Sequence, residues 1–139
     1  MQADNNIRIK YLEMIQSTMT RMASNSFTLK GWAVTLVAGT FALSSKDSDK
    51  LFYLVAYIPI ILFWFLDAYY LQLERKYRDL YNVAMALPIE NIDFNLTVQR
   101  GDINKKTSYL QVLLSITEIC FYVPLAVLVA GVIIITCVT

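Results

Sequence analysis

LFYLVAYIPIILFWFLDAYYL, residues 51–71, carries a single charged side chain, Asp67. A helix needs about 20 mostly apolar residues, at about 1.5 Å each, to cross the ~30 Å hydrocarbon core of a bilayer. Two further stretches reach that length. Residues 27–45 hold Lys30 alone, near their start, and residues 110–138 hold Glu118 alone. One such window would also fit the buried helix of a soluble domain. Three of them in 139 residues leave too little polar chain to cover them. The expected fold is therefore all-α and integral to a membrane: three transmembrane helices with long cytoplasmic helical extensions, assembled as an oligomeric bundle.

Composition points the same way. The chain is 57% hydrophobic and 17% charged, with a mean hydropathy of +0.49. Soluble domains sit near 45–50% apolar and about 25% charged. Twelve Lys and Arg against 11 Asp and Glu leave a net +1, which gives no footprint for nucleic acid. With no histidine, the commonest general base and metal ligand are both missing. Only Cys120 and Cys137 could offer thiols, and both lie in apolar sequence. Four glycines supply no phosphate-cradling loop, and HExxH, GxSxG and CxxC are all absent. No metal, no cofactor and no enzymatic activity are expected. Asp67 and Glu118 formally match the two facing carboxylates of an intramembrane aspartyl protease, but nothing around them adds to that likeness.

The cations set the expected orientation. Arg8, Lys10, Arg21 and Lys30 precede or open the first span. Arg75, Lys76, Arg78, Arg100, Lys105 and Lys106 lie between the second and third. Only Lys46 and Lys50 occupy the short turn at 46–50. Ten cations against two place the N-terminus and the second loop in the cytoplasm, with the turn and C-terminus outside. Residues 1–26 contain no apolar core of a signal peptide. They repeat apolar residues at helical spacing: Ile7, Tyr11, Met14 or Ile15, Met19 and Met22. One helix is expected to run from the cytoplasm through residues 27–45. Its stripe serves either a subunit contact or packing on the chain's own second loop.

The second span is also expected to run on, over residues 72–87, with Leu73, Tyr77, Leu80 or Tyr81, and Ala84 on one face. Pro88 then stops it. Within the loop at 88–109, Ile92, Phe94, Leu96 and Val98 alternate with polar residues, the period of a strand. Arg100-Gly101-Asp102 reads as a turn. A lone strand has no partner in this chain. The segment is therefore either a loop packed on the helices or an edge for another copy or another protein.

Three lone charges stand out. A charge in hydrocarbon costs about 2.5–3.5 kcal/mol and usually faces a partner in the bundle interior. Lys30, Asp67 and Glu118 fall at a similar depth near the inner interface in the expected topology. Lys30 either pairs with Asp67, Glu118 or both, or snorkels to the headgroups. Gly31, Thr35 and Gly39 in the first span, and Ala126 and Ala130 in the third, form small faces that let helices approach closely in lipid. Pro59 and Pro124 are expected to kink the second and third spans. Trp32, Tyr53, Tyr57, Trp64, Tyr69, Tyr70, Tyr109 and Tyr122 read mostly as an interfacial aromatic belt.

The run Met22-Ala23-Ser24-Asn25-Ser26-Phe27-Thr28-Leu29-Lys30-Gly31-Trp32, the run Phe63-Trp64-Phe65-Leu66-Asp67, the pair Asp93-Phe94 and the run Phe121-Tyr122-Val123-Pro124-Leu125 carry a resemblance. They resemble a group of small multi-span bacterial membrane proteins found in antiviral-defence neighbourhoods. A long cytoplasmic helix followed by two close spans is also similar in outline to SLATT-type effectors, whose two-span pattern the third span departs from. The resemblance brings no established activity with it; taken with the spans and lone charges, the expected function is a bacterial inner-membrane effector that oligomerises to form a pore or perturb the membrane when a cytoplasmic protein partner triggers it. Its implied partners are the lipid bilayer, further copies of itself and that protein. A non-conducting scaffold that anchors or regulates a cytoplasmic defence protein is the alternative. A holin-like lysis protein fits less well, because three-span holins usually run with the N-terminus outside.

Overall fold

A computed structural model describes residues 2–43, 53–97 and 108–138. The expected turn at 46–50, Val98, Arg100-Gly101-Asp102 and the side chain of Cys137 lie outside the described residues. What is described is helical: α1 (Gln2–Leu43), α2 (Tyr57–Ala86), a 3-10 turn (Ile89–Asn91), α3 (Tyr109–Leu113) and α4 (Ile116–Val138).

No proline interrupts the first 43 residues, and α1 runs unbroken for 42 of them, about 63 Å at the usual rise. Its buried positions are Tyr11, Ile15, Thr18, Ser26, Ala33 and Val37, a stripe recurring at three- and four-residue steps. Of the pair Met14 and Ile15, it is Ile15 that turns inward; Met14 is 53% exposed. Ile7 is also exposed, at 52%. Two helices are long and apolar enough to cross a membrane, α1 over Asp4–Leu43 and α4 over Ile116–Thr136. Their apolar windows are only 17% and 11% buried within the chain, unlike the core helix of a soluble protein.

The opening stretch differs from a single span at its start. Within residues 51–71, α2 begins at Tyr57, and Pro59 stands in its first turn rather than mid-helix. The ring of Pro59 would clash with the carbonyl of Val55 in a continuous helix. That carbonyl instead accepts the Ile58 N–H at 3.1 Å, a tighter turn that separates Tyr53 and Leu54 from α2. At the other end, Leu87 is extended (φ −81°, ψ 146°), as the residue before Pro88 must be. The Arg8 guanidinium reaches from α1 to the last carbonyls of α2, donating to Ala84 O at 3.2 Å and Met85 O at 2.5 Å.

The expected third span, 110–138, is two helices. Residues 114–115 break it, with Ser115 N–H bonded to Val112 O and Ser115 O accepting from both Glu118 and Ile119 N–H. Leu113 O, left over by the break, takes the Trp64 indole N–H at 3.1 Å. Tyr109 O–H is bonded to Phe65 O at 2.9 Å, which holds α3 on α2. Pro124 lies inside α4 as expected.

Nor is the 92–98 segment a strand where it is described. After the 3-10 turn, residues 92–97 run as irregular chain across α1 and α2. Tyr11 O–H donates to Asn95 O at 2.7 Å, and Phe94 meets the Tyr11 ring edge-on at 5.4 Å. Asn95 turns the backbone through its own side chain, which accepts the Thr97 N–H at 3.0 Å. The apolar set does not share one buried face: Ile92 is buried, Leu96 is half-buried and Phe94 is 46% exposed.

Pairs such as Arg8 with Ala84, Lys30 with Asp67 and Phe41 with Tyr53 show that α1 and α2 are antiparallel. Tyr57 O–H bonded to Ala126 O, and Tyr122 O–H to Asp67, set α4 antiparallel to α2 and so parallel to α1. Two cores result. One gathers Ala33, Val37, Ala56, Ile60, Tyr122 and Val129 from α1, α2 with its lead-in, and α4. The other joins Tyr11, Ile15, Leu80, Ala84 and Ile92 at the far end of the α1–α2 pair.

Candidate functional site

Between the two cores, α1, α2 and α4 bring Lys30, Asp67 and Glu118 together. Lys30 Nζ is in ion-pair contact with Asp67 Oδ2 and lies 3.3 Å from Glu118 Oε1. It donates a third hydrogen bond to Ser26 Oγ, one helical turn back, at 3.2 Å. Tyr122 O–H donates to Asp67 Oδ2 at 3.0 Å. The Phe121 and Tyr122 rings lie 5.7 and 5.9 Å from the ammonium, within cation–π range. Trp64 stacks on Tyr122 at 5.9 Å with an interplanar angle of 10°. Both carboxylate side chains are 0% exposed and that of Lys30 is 16% exposed.

The helices dictate this arrangement. Ser26 and Lys30, and likewise Glu118 and Tyr122, are four residues apart and so share a face. Ala33 and Ala68, both fully buried, flank the cluster along α1 and α2. Small side chains there admit the long ammonium stem and the Tyr122 ring. One partly exposed cation thus meets two carboxyls that solvent does not reach. An isolated buried charge is very costly, and a buried triad persists only when its remaining polar atoms are hydrogen-bonded. Here Asp67 Oδ1 and Glu118 Oε2 have no hydrogen-bond partner, nor does Ser115 Oγ.

The remaining expected site residues divide. Gly31 and Thr35 face outward and Gly39 is half-buried. A Cβ built on Gly31 or Gly39 would meet nothing within 4 Å, so α2 does not approach α1 there. Ala126 and Ala130 are half-buried, and Ala126 packs on the three-helix core. The aromatics read as an interfacial belt divide: Tyr53 and Tyr122 are buried, and Trp64, Tyr57 and Tyr109 are half-buried. Tyr122 is 0% exposed, and Trp64, Tyr57 and Tyr109 each bond to a backbone carbonyl of a neighbouring helix. Sequence reasoning missed Ser26, Tyr122 and Trp64 as parts of the cluster. For the first two the signal was present: each lies one turn from a lone charge.

Glu74 and Arg78 form a separate i, i+4 ion pair on α2. Among the described residues no group of three or more His, Cys, Asp and Glu could hold a metal ion. No protein-family model, curated protein or solved structure matches this chain.

Proposed function

We propose that this chain is a three-span bacterial inner-membrane effector, with its N-terminus in the cytoplasm and its C-terminus outside. Copies of it assemble to open a pore or perturb the membrane when a cytoplasmic partner signals. The observation that carries the reading is the pairing of a buried charge cluster with outward apolar faces on α1, α2 and α4 alike. Phe27, Trp32 and Leu36 are exposed on α1, Ile58, Ile61, Leu62 and Phe65 on α2, and Ile116, Val127, Leu128 and Ile134 on α4. Water would not tolerate such a surface around all three helices, whereas hydrocarbon would.

Assembly is supported by the outward small face at Gly31 and Thr35, where open space lets a second helix approach closely. The long polar half of α1, capping α2 through Arg8 and clamping residues 92–97 through Tyr11, offers a surface on which a cytoplasmic signal can act. A role in antiviral defence rests on the sequence resemblance given above.

Ion and dye efflux from liposomes tests the reading. Efflux should rise more steeply than protein density, and Gly31→Leu should depress it. Vesicles that stay tight at densities where cross-linking detects oligomers would transfer the assignment to a non-conducting membrane scaffold.

A further inference from the structure

The charge cluster does not balance as drawn. Lys30 supplies one positive charge, and Asp67 and Glu118 supply two negative charges if both are ionised. Facing the pair are Lys30 and Ser26 from α1, Trp64 from α2, and Phe121 and Tyr122 from α4. None of these adds a second cation. Two side chains donate to the carboxyls. Lys30 serves Asp67 Oδ2, Glu118 Oε1 and Ser26, while Tyr122 O–H serves Asp67 Oδ2. Asp67 Oδ1 and Glu118 Oε2 are left without a donor although both side chains are fully buried. Both carboxyls contact the same Lys30 Nζ.

Two negative charges against one positive charge would leave a net charge on side chains that solvent does not reach, which is very costly, and a proton on one carboxyl removes it. A metal cation is the other way to restore balance. It needs several oxygen ligands and room, yet the ammonium already occupies the place between the carboxylates. A proton needs only one of the orphaned oxygens and no added volume.

We propose that Asp67 and Glu118 form a proton-binding site that holds one proton between them, leaving the three-residue cluster electrically neutral at neutral pH. The proton is taken from water. Its loss would leave a net negative charge where three helices meet. This makes the cluster the one place among the described residues where proton uptake bears directly on helix association. The inference stands on the geometry of the cluster and does not depend on whether the assembled protein conducts.

Infrared spectroscopy of the full chain in lipid nanodiscs reads the proton directly. At neutral pH the wild type should show a protonated-carboxyl C=O band that shifts on exchange into heavy water. Asp67→Asn and Glu118→Gln should each abolish that band, because the carboxyl left behind then balances Lys30 and ionises. Lys30→Met should strengthen it, since both carboxyls then need protons. Equal helicity by circular dichroism identifies the variants that fold, and any one folded variant suffices. A wild type without the band overturns the proposal, as does a band that persists in either folded amide variant. A band that emerges only when sodium and potassium are replaced by choline would assign the balance to a metal cation, and would equally overturn it.

Discussion

The two ends of the α1–α2 pair solve opposite packing problems with the same helices. At the end carrying Tyr11, Ile15, Leu80, Ala84 and Ile92, large apolar side chains point inward, and residues 92–97 fold over them. At the other end Ala33 and Ala56 are buried beside Val37, Ile60 and Val129, while Leu43 is 80% and Ile134 62% exposed. The first pattern is that of a chain in water, where apolar area drives burial. The second suits lipid, where helices associate through close backbone approach and polar contacts rather than by hiding leucines. The Lys30 cluster sits at the boundary between these regimes. The same α1 stripe thus carries Ile15 in one half and Ala33 in the other.

Removing the boundary itself should have the largest effect. Lys30→Met leaves two buried carboxyls without their cation. It should cost about 3–5 kcal/mol at neutral pH, read from thermal or SDS-induced unfolding in mild detergent. A loss below ~1 kcal/mol, the range of exposed ion pairs, would show that solvent reaches the cluster.

A pair of truncations tests the contrast between the two ends. Ile15→Ala, at a fully buried position of the Tyr11 end, should cost about 2–5 kcal/mol. Ile134→Ala, 62% exposed on α4, should cost under ~0.5 kcal/mol in the same assay. Equal losses would mean that Ile134 is covered by another copy, which would sharpen the oligomer reading. The smallest effect is local. Tyr11→Phe removes the hydrogen bond to Asn95 O and should destabilise the overlying segment by about 0.5–1.5 kcal/mol. Amide hydrogen exchange should speed up at residues 92–97 and stay unchanged around Ala33.

Periodicity made part of this legible in advance. The long α1, its run from polar into apolar sequence and the stop at Pro88 all follow from residues within a turn or two of each other. The three charged cluster residues announced themselves as single charges in apolar windows. Ser26 and Tyr122 were as readable, one turn from Lys30 and Glu118, but neither is charged and so neither stood out. Alternation at residues 92–98 left a packed loop and a strand edge both open, and the described residues 92–97 are the packed loop. The interruptions near Val55 and Ser115 were hidden for another reason. Hydropathy is blind to backbone hydrogen bonding, and each break lies within a window apolar enough to read as one span. Pro59 marked the first break, yet its place in the helix could not be read until the helix start was known. The second depends on Trp64 and Tyr109 reaching across from or to α2, contacts between residues more than forty positions apart.

By itself, the sequence determined the helical class, the apolar stretches and the three isolated charges, because local spacing and side-chain transfer energy suffice for those. Only the tertiary structure decided which oxygens Lys30 touches, that one cation must serve two carboxyls, and that Gly31 faces outward while Ala33 faces in. Those depend on the rotation of each helix about its axis and on its register against the others. Both are set by the summed packing of distant residues, which no local window contains.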